Sequence, residues 1–122
     1  MKPEPRTILF VEDEPLLGEL ITEALTDKGY TVEVAPDASH ALRYLLSGAE
    51  VDVLFTDIDL GDGMDGAKLA QLAREMRPKL PVVYVSGRRS MEQFPTVPDS
   101  TFLPKPYSLN QVDATLARIG KR

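Results

Sequence analysis

The sequence predicts an α/β domain in which a parallel sheet carries helices on both faces. Three observations predict it. Short runs of apolar and β-branched residues alternate with segments whose apolar residues recur at helical spacing. Glycines and prolines sit at the joins between them. The central run, in VDVLFTDIDLGDGMDG from Val51 to Gly66, has the apolar and β-branched residues Val51, Val53, Leu54, Phe55 and Thr56 and ends on Asp57, in a loop rich in Asp and Gly. Strands alternating with helices imply a parallel sheet, and right-handed crossovers limit its topology. Open sheets of this kind place ligand chemistry at the C-terminal ends of their strands.

Each element follows from its residues. Met1 to Arg6 is polar and contains prolines, which predicts a flexible arm. Thr7 to Val11 is the first strand, closed by Glu12, Asp13 and Glu14. Pro15 suits the first turn of a helix, where its missing N–H costs nothing. Leu16, Leu17, Leu20, Ile21, Ala24 and Leu25 supply that helix's apolar pattern, and Gly29 is its expected left-handed cap. Tyr30 to Ala35 alternates apolar Tyr30, Val32 and Val34 with polar Thr31 and Glu33, as a strand with one buried face does. Asp37 caps a helix carrying Ala38, Ala41, Leu42, Leu45 and Leu46, which Gly48 ends. Asp65 caps the next, with Leu69, Leu72, Ala73 and Met76 inward. Pro81 to Ser86 is the fourth strand and Thr101 to Leu103 the fifth. Ser108 caps the last helix, with Leu109, Val112, Leu116 and Ile119 inward.

Gly87 to Ser100 breaks the pattern. Pro95 and Pro98 lie inside it, and an interior proline costs a helix about 3 kcal/mol or more. Met91, Phe94 and Val97 support a turn or two at most. The expectation is one short helix or irregular chain over Ser90 to Phe94 and non-helical chain from Pro95 onward. A segment of this kind, directly after Ser86, is also the expected mobile element of the domain.

The totals bound the function. At 122 residues the chain is expected to form one domain, residues 1–122. A formal net charge of −5 argues against non-specific nucleic-acid binding, which needs a basic surface. There is no cysteine, so no disulfide frame and no thiol chemistry. No apolar run approaches the roughly 20 residues of a membrane span. MKPEPRTILF lacks the apolar core of a signal peptide. The expected location is cytoplasmic.

Parallel strands that follow one another finish at one edge. Glu12 and Asp13, Asp57, Ser86 and Lys105 therefore meet there. Clustered carboxylates repel, and one of them tends to hold a proton. A hard divalent cation relieves that, and Mg²⁺ needs only a few carboxylates plus phosphate oxygens. Lys105 and Ser86 then offer a positive charge and a hydroxyl donor to a phosphoryl group. Asp57 is the expected nucleophile and phosphoacceptor, since a carboxylate can form an acyl phosphate.

These residues carry a resemblance. The acidic pair Glu12-Asp13, the acceptor in FTDIDL, the VSG around Ser86 and the LPKP around Lys105 fall in the order and spacing of a response-regulator receiver domain of bacterial two-component signalling. The resemblance covers nearly the whole chain. It implies a flavodoxin-like three-layer domain with a five-stranded sheet of order 2-1-3-4-5, here with a shortened or irregular fourth helix. It implies that Asp57 takes phosphate from a phosphohistidine on a histidine kinase or histidine phosphotransfer protein. The result would be a switch of contacts with an unknown downstream protein target. It further implies Mg²⁺ held by Glu12, Asp13, Asp57 and the backbone carbonyl of Asp59. A cis Lys105-Pro106 bond, a switch pairing Ser86 with Phe102, and self-dephosphorylation modulated by Asp59 and Arg88 belong to the same implication. Such a domain is not a turnover enzyme.

The competing readings are weaker. Asp57-Ile58-Asp59 fits the D-x-D motif of an aspartate-nucleophile phosphatase of haloacid dehalogenase type. In those enzymes, however, the nucleophile precedes the second acidic motif, and here the acidic pair comes first. A flavin module of the same fold needs a phosphate loop after the first strand, where acidic EDEPLLGE would repel a phosphate. A calcium loop starting at Asp57 would need Gly and Glu where Asp62 and Lys68 stand. His40, in mid-helix, is expected to be structural or solvated.

Overall fold

The computed structural model describes residues 7–61, 63–87 and 91–120. The expected N-terminal arm, Asp62 and Arg88 lie outside them. Five parallel strands form one sheet: β1 (Thr7–Val11), β2 (Thr31–Ala35), β3 (Val53–Asp57), β4 (Val82–Ser86) and β5 (Ser100–Pro104). Their order is β2-β1-β3-β4-β5, the flavodoxin-like order. Four helices flank the sheet: α1 (Pro15–Asp27), α2 (Ala38–Leu46), α3 (Gly66–Met76) and α4 (Leu109–Gly120). Among the described residues between β4 and β5 the chain forms one 3₁₀ turn, Met91–Gln93, and runs non-helical from Pro95, as its prolines predict.

The sheet separates two apolar layers. Ile8, Phe10, Phe55, Val83 and Val85 face α1 and α4 through Ile21, Leu25, Val112 and Leu116. Leu9, Leu54, Val82 and Tyr84 face α2 and α3 through Ala41, Leu45, Leu69 and Ala73. Phe94 and Val97, from the irregular segment, complete that second layer. β3 and its neighbour β4 are buried along their whole lengths, which puts Asp57 at the end of a fully shielded strand.

The caps act as their residues dictate. Asp37 and Asp65 accept from the N–H groups of His40 and Lys68, at 2.8 and 2.9 Å. Ser108 Oγ accepts from Gln111 N–H while Gln111 Oε1 accepts from Ser108 N–H, a reciprocal capping box. Gly29, at φ 101°, closes α1 through Gly29 N–H to Thr26 O and Tyr30 N–H to Leu25 O. That second bond holds Tyr30 to the helix end, so β2 begins at Thr31 rather than Tyr30. Three leucines expected inside lie outside: Leu16 is 77%, Leu20 65% and Leu46 71% exposed. Gly18, Ile21 and Leu25 form the buried stripe of α1, and at 100° per residue Leu16 and Leu20 fall on the far side. Leu46 lies one step around α2 from buried Leu45. Leu109, also expected inside, is 37% exposed at the first position of α4. Val34, on the edge strand, is part open because it faces Gly18, which has no side chain to cover it.

Candidate functional site

The C-terminal ends of β1, β3 and β4 and the loop after β5 converge on one acidic cleft of about 610 Å³. Asp57 ends β3, buried, with both carboxylate oxygens engaged. Lys105 Nζ donates to Oδ2 at 2.6 Å, and Asp59 N–H donates to Oδ1 at 3.0 Å. Glu12 follows β1 and is also buried, held by its own N–H to Ala35 O and by Glu14 N–H to its Oε2. Its Oε1 lies 4.0 Å from Lys105 Nζ. Asp13 is exposed. Oxygens of Glu12, Asp13 and Asp57 all lie within 4.8 Å of one another.

Electrostatics follow from that crowding. Burial pushes the Glu12 carboxyl up to about 7, with Asp57 and Asp13 adding to the rise; the Glu14 N–H and Lys105 oppose it. Burial works against the charge of Lys105, yet its bond to Asp57 and the charges of Asp57, Glu12 and Glu14 hold its ammonium above the ordinary value. Burial, with Glu12 and Asp57 nearby, pushes the Tyr107 hydroxyl up to about 12. Three carboxylates and one ammonium leave a net negative site built only of oxygen donors. That donor set fits a hard divalent cation such as Mg²⁺.

The remaining expected residues take up graded positions. Ser86, at 2% exposure, sits at the end of β4 with its Oγ 3.5 Å from Asp59 Oδ2. Its backbone carbonyl accepts from Lys105 N–H at 3.0 Å, which ties the ends of β4 and β5 together. Lys105-Pro106 is cis. Phe102 is half-buried on β5, removed from the carboxylates, with its ring 6.2 Å from that of Phe94. His40 is exposed, its ring on the capping carboxylate of Asp37 at 2.7 Å, away from the cleft.

Two glycines that sequence reasoning passed over shape the cleft. A Cβ on Gly66 would lie 2.0 Å from the backbone carbonyl oxygen of Asp57, and Gly66 N–H donates to Ile58 O at 2.8 Å. Only glycine lets α3 start that close to the strand end. Glycine at the first position of a helix, against its low propensity, was the available signal. Gly61, at φ 73°, would put a Cβ 3.1 Å from Asp13 Oδ2, so it leaves room for that carboxylate.

A flavodoxin-like sheet with this acidic cleft and its lysine defines a signalling domain of the phosphoacceptor class. The chain belongs to the response regulator receiver domain family, which matches residues 8–117. A response regulator receiver protein from Sinorhizobium medicae superposes with a TM-score of 0.87 at 35% identity, covering 97% of this chain and 96% of that one. The transcriptional regulatory protein TcrA of Mycobacterium tuberculosis is 31% identical over 94% of this chain and 46% of its own length. The sensor kinase CckA of Brucella abortus is 34% identical over 90% of this chain and 12% of its own length. The chain thus spans less than half of either curated relative. Among the described residues no helix is long and apolar enough to cross a membrane.

Proposed function

We propose that residues 1–122 act as one receiver domain in which Asp57 accepts a phosphoryl group from a phosphohistidine. The observation that carries this reading is the Asp57 carboxylate, buried at a strand end yet opening on a cleft, with Lys105 Nζ at 2.6 Å. One Asp57 oxygen attacks phosphorus, the P–N bond breaks, and the freed imidazole nitrogen keeps the electron pair. Lys105 and Ser86 carry the added negative charge on the phosphoryl oxygens, Ser86 by turning its hydroxyl from Asp59. Glu12, Asp13, Asp57 and the Asp59 carbonyl would hold Mg²⁺, which supplies positive charge to the same oxygens. Asp59 and Arg88 set the later rate of hydrolysis, and Ser86 with Phe102 passes the change outward. The domain acts through contacts, in the cytoplasm, rather than by turnover. The matched family and the order of the acidic motifs both weigh against the phosphatase reading.

The phosphodonor partner meets the outer face of α1. Leu16 and Leu20 stand exposed one turn apart beside the cleft. The exposed acids from Asp13 to Asp27 are Asp13, Glu14, Glu19, Glu23 and Asp27, and that stretch has no Lys or Arg. Such a surface suits a histidine kinase or phosphotransfer helix with apolar contacts and basic flanks.

An acyl-phosphate donor with Mg²⁺ tests the reaction. Intact mass should rise by one phosphoryl group in the wild type and not in Asp57→Asn, which keeps the shape and removes the nucleophile. Equal labelling of the two proteins would overturn the assignment.

A further inference from the structure

The segment after the 3₁₀ turn is seated on the sheet by one buried hydroxyl. Tyr84 lies in the middle of β4 with no exposed surface, on the strand face that also carries Ser86 two residues on. Its hydroxyl oxygen accepts from Val97 N–H at 3.0 Å. The Phe94 ring stands edge-on to the Tyr84 ring, centroids 5.1 Å apart, and the Phe102 ring of β5 lies tilted to Phe94 at 6.2 Å. Ser100 Oγ donates to Val97 O at 2.7 Å, holding the next peptide group along, so Val97 is pinned on both sides. Phe94 and Val97 are 7% and 8% exposed, while Glu92, Gln93, Pro95, Thr96, Pro98 and Asp99 between and around them are exposed. Two side chains and one tyrosine thus occupy the volume that a crossover helix fills elsewhere in the fold.

We propose that residues 94–99 form a strap whose seating depends on the Tyr84 hydroxyl, and that this seat is what the phosphoryl group on Asp57 tightens. The inference rests on the acceptor reading above. The strap's entry is governed from the site: Ser86 ends β4, Lys105 N–H bonds the Ser86 carbonyl, and a Cβ on Gly87 would lie only 3.3 Å from the Lys105 side chain. Ser86 and Lys105 are the two groups drawn to a phosphoryl group on Asp57. Their movement is transmitted along β4 to Tyr84 and across the sheet to Phe102, and both of these touch Phe94 or Val97. Tyr84 is a positioning residue here. It does not touch the reacting atoms.

Amide hydrogen exchange of the whole chain at residues 92–100, with and without acyl-phosphate donor and Mg²⁺, tests this. Intact mass is read on the same samples. In the wild type, full phosphorylation should slow exchange at Val97 about tenfold. Tyr84→Phe keeps both rings and removes the acceptor. It should phosphorylate to the same extent, exchange faster at Val97 from the start, and lose the phosphorylation-dependent slowing. Ser100→Ala, which removes the bond to the Val97 carbonyl and the Ser100 hydrogen bond to Tyr84 but keeps the Tyr84 hydroxyl as acceptor, should speed exchange at Val97 and keep part of the slowing. If phosphorylation is complete in the wild type and exchange at Val97 does not change, the strap proposal fails while the acceptor reading stands. Slowing that persists undiminished in Tyr84→Phe removes Tyr84 from the seat. Lack of any phosphorylation would overturn the acceptor reading instead.

Discussion

Two crossovers cover the same face of the sheet by different means. From β3 to β4 the chain builds α3, capped by Asp65, with Leu69, Ala70 and Ala73 buried along one stripe. Its first residue, Gly66, is pressed against the backbone of Asp57. From β4 to β5 the described residues build one 3₁₀ turn and then irregular chain, which Phe94, Val97 and hydrogen bonds from and to Tyr84, Ser100 and Arg74 hold. The first crossover is continuous with the core and fixes Asp57. The second is attached at a few points, so it can loosen without the sheet opening.

Substitutions should separate the two by size and kind of effect. Leu69→Ala should cost about 3–4 kcal/mol of global stability, the usual penalty for emptying a buried leucine site. Phe94→Ala removes a larger side chain and should cost less, about 1 kcal/mol. The strap can detach locally, which caps the loss at its own docking energy. Denaturant unfolding measures both. Equal losses would mean that the strap is as much part of the cooperative core as α3.

A pH scan of the metal-free protein acts on the site side of the comparison. Glu12 has a folded value of about 7 against an ordinary 4.5. Its folded pKa is raised, so its contribution is fully present below about 4.5 and is lost as pH rises through 7. Stability should therefore fall across that window, by on the order of 3 kcal/mol. Glu12→Gln should flatten the slope. A wild-type curve that rises over the same window would contradict the charge strain assigned to Glu12.

Mg²⁺ should have a smaller effect of the same origin. A cation that binds only the folded state adds about 1.4 kcal/mol at ten times its dissociation constant. Asp13→Asn should lose that increment and, by easing repulsion, gain on the order of 1 kcal/mol without metal. Thermal melting with and without Mg²⁺ checks this. Equal shifts in the two proteins would remove Asp13 from the ligand set.

The contrast between the crossovers also marks what the sequence disclosed. Periodicity and caps placed every strand and α-helix to within two residues, because Pro15, Gly29, Asp37, Asp65 and Ser108 act locally on their own neighbours. Pro95 and Pro98 likewise announced the non-helical crossover. Pattern alone did not orient Leu16, Leu20, Leu46 and Leu109, since an apolar residue at helical spacing is consistent with either edge of the buried stripe. Nor did it reveal that Phe94 and Val97 are buried on Tyr84, a contact between residues of different elements that no local rule encodes. The cleft was legible because parallel strands must end at one edge, which brings Glu12, Asp57 and Lys105 together whatever the details of packing. The demand for glycine at 66 arises from the approach of α3 to β3; its one local trace is a poor helix former at the first position of α3.

The central claim is that Asp57, and no neighbouring carboxylate, takes the phosphoryl group. Borohydride reduction converts a phosphorylated aspartate to homoserine, which peptide mass spectrometry can place in the chain. After treatment with an acyl-phosphate donor and Mg²⁺, the account predicts homoserine at position 57 alone. Homoserine at position 13 or 59, or a trapped phosphoryl group on any other side chain, would contradict it.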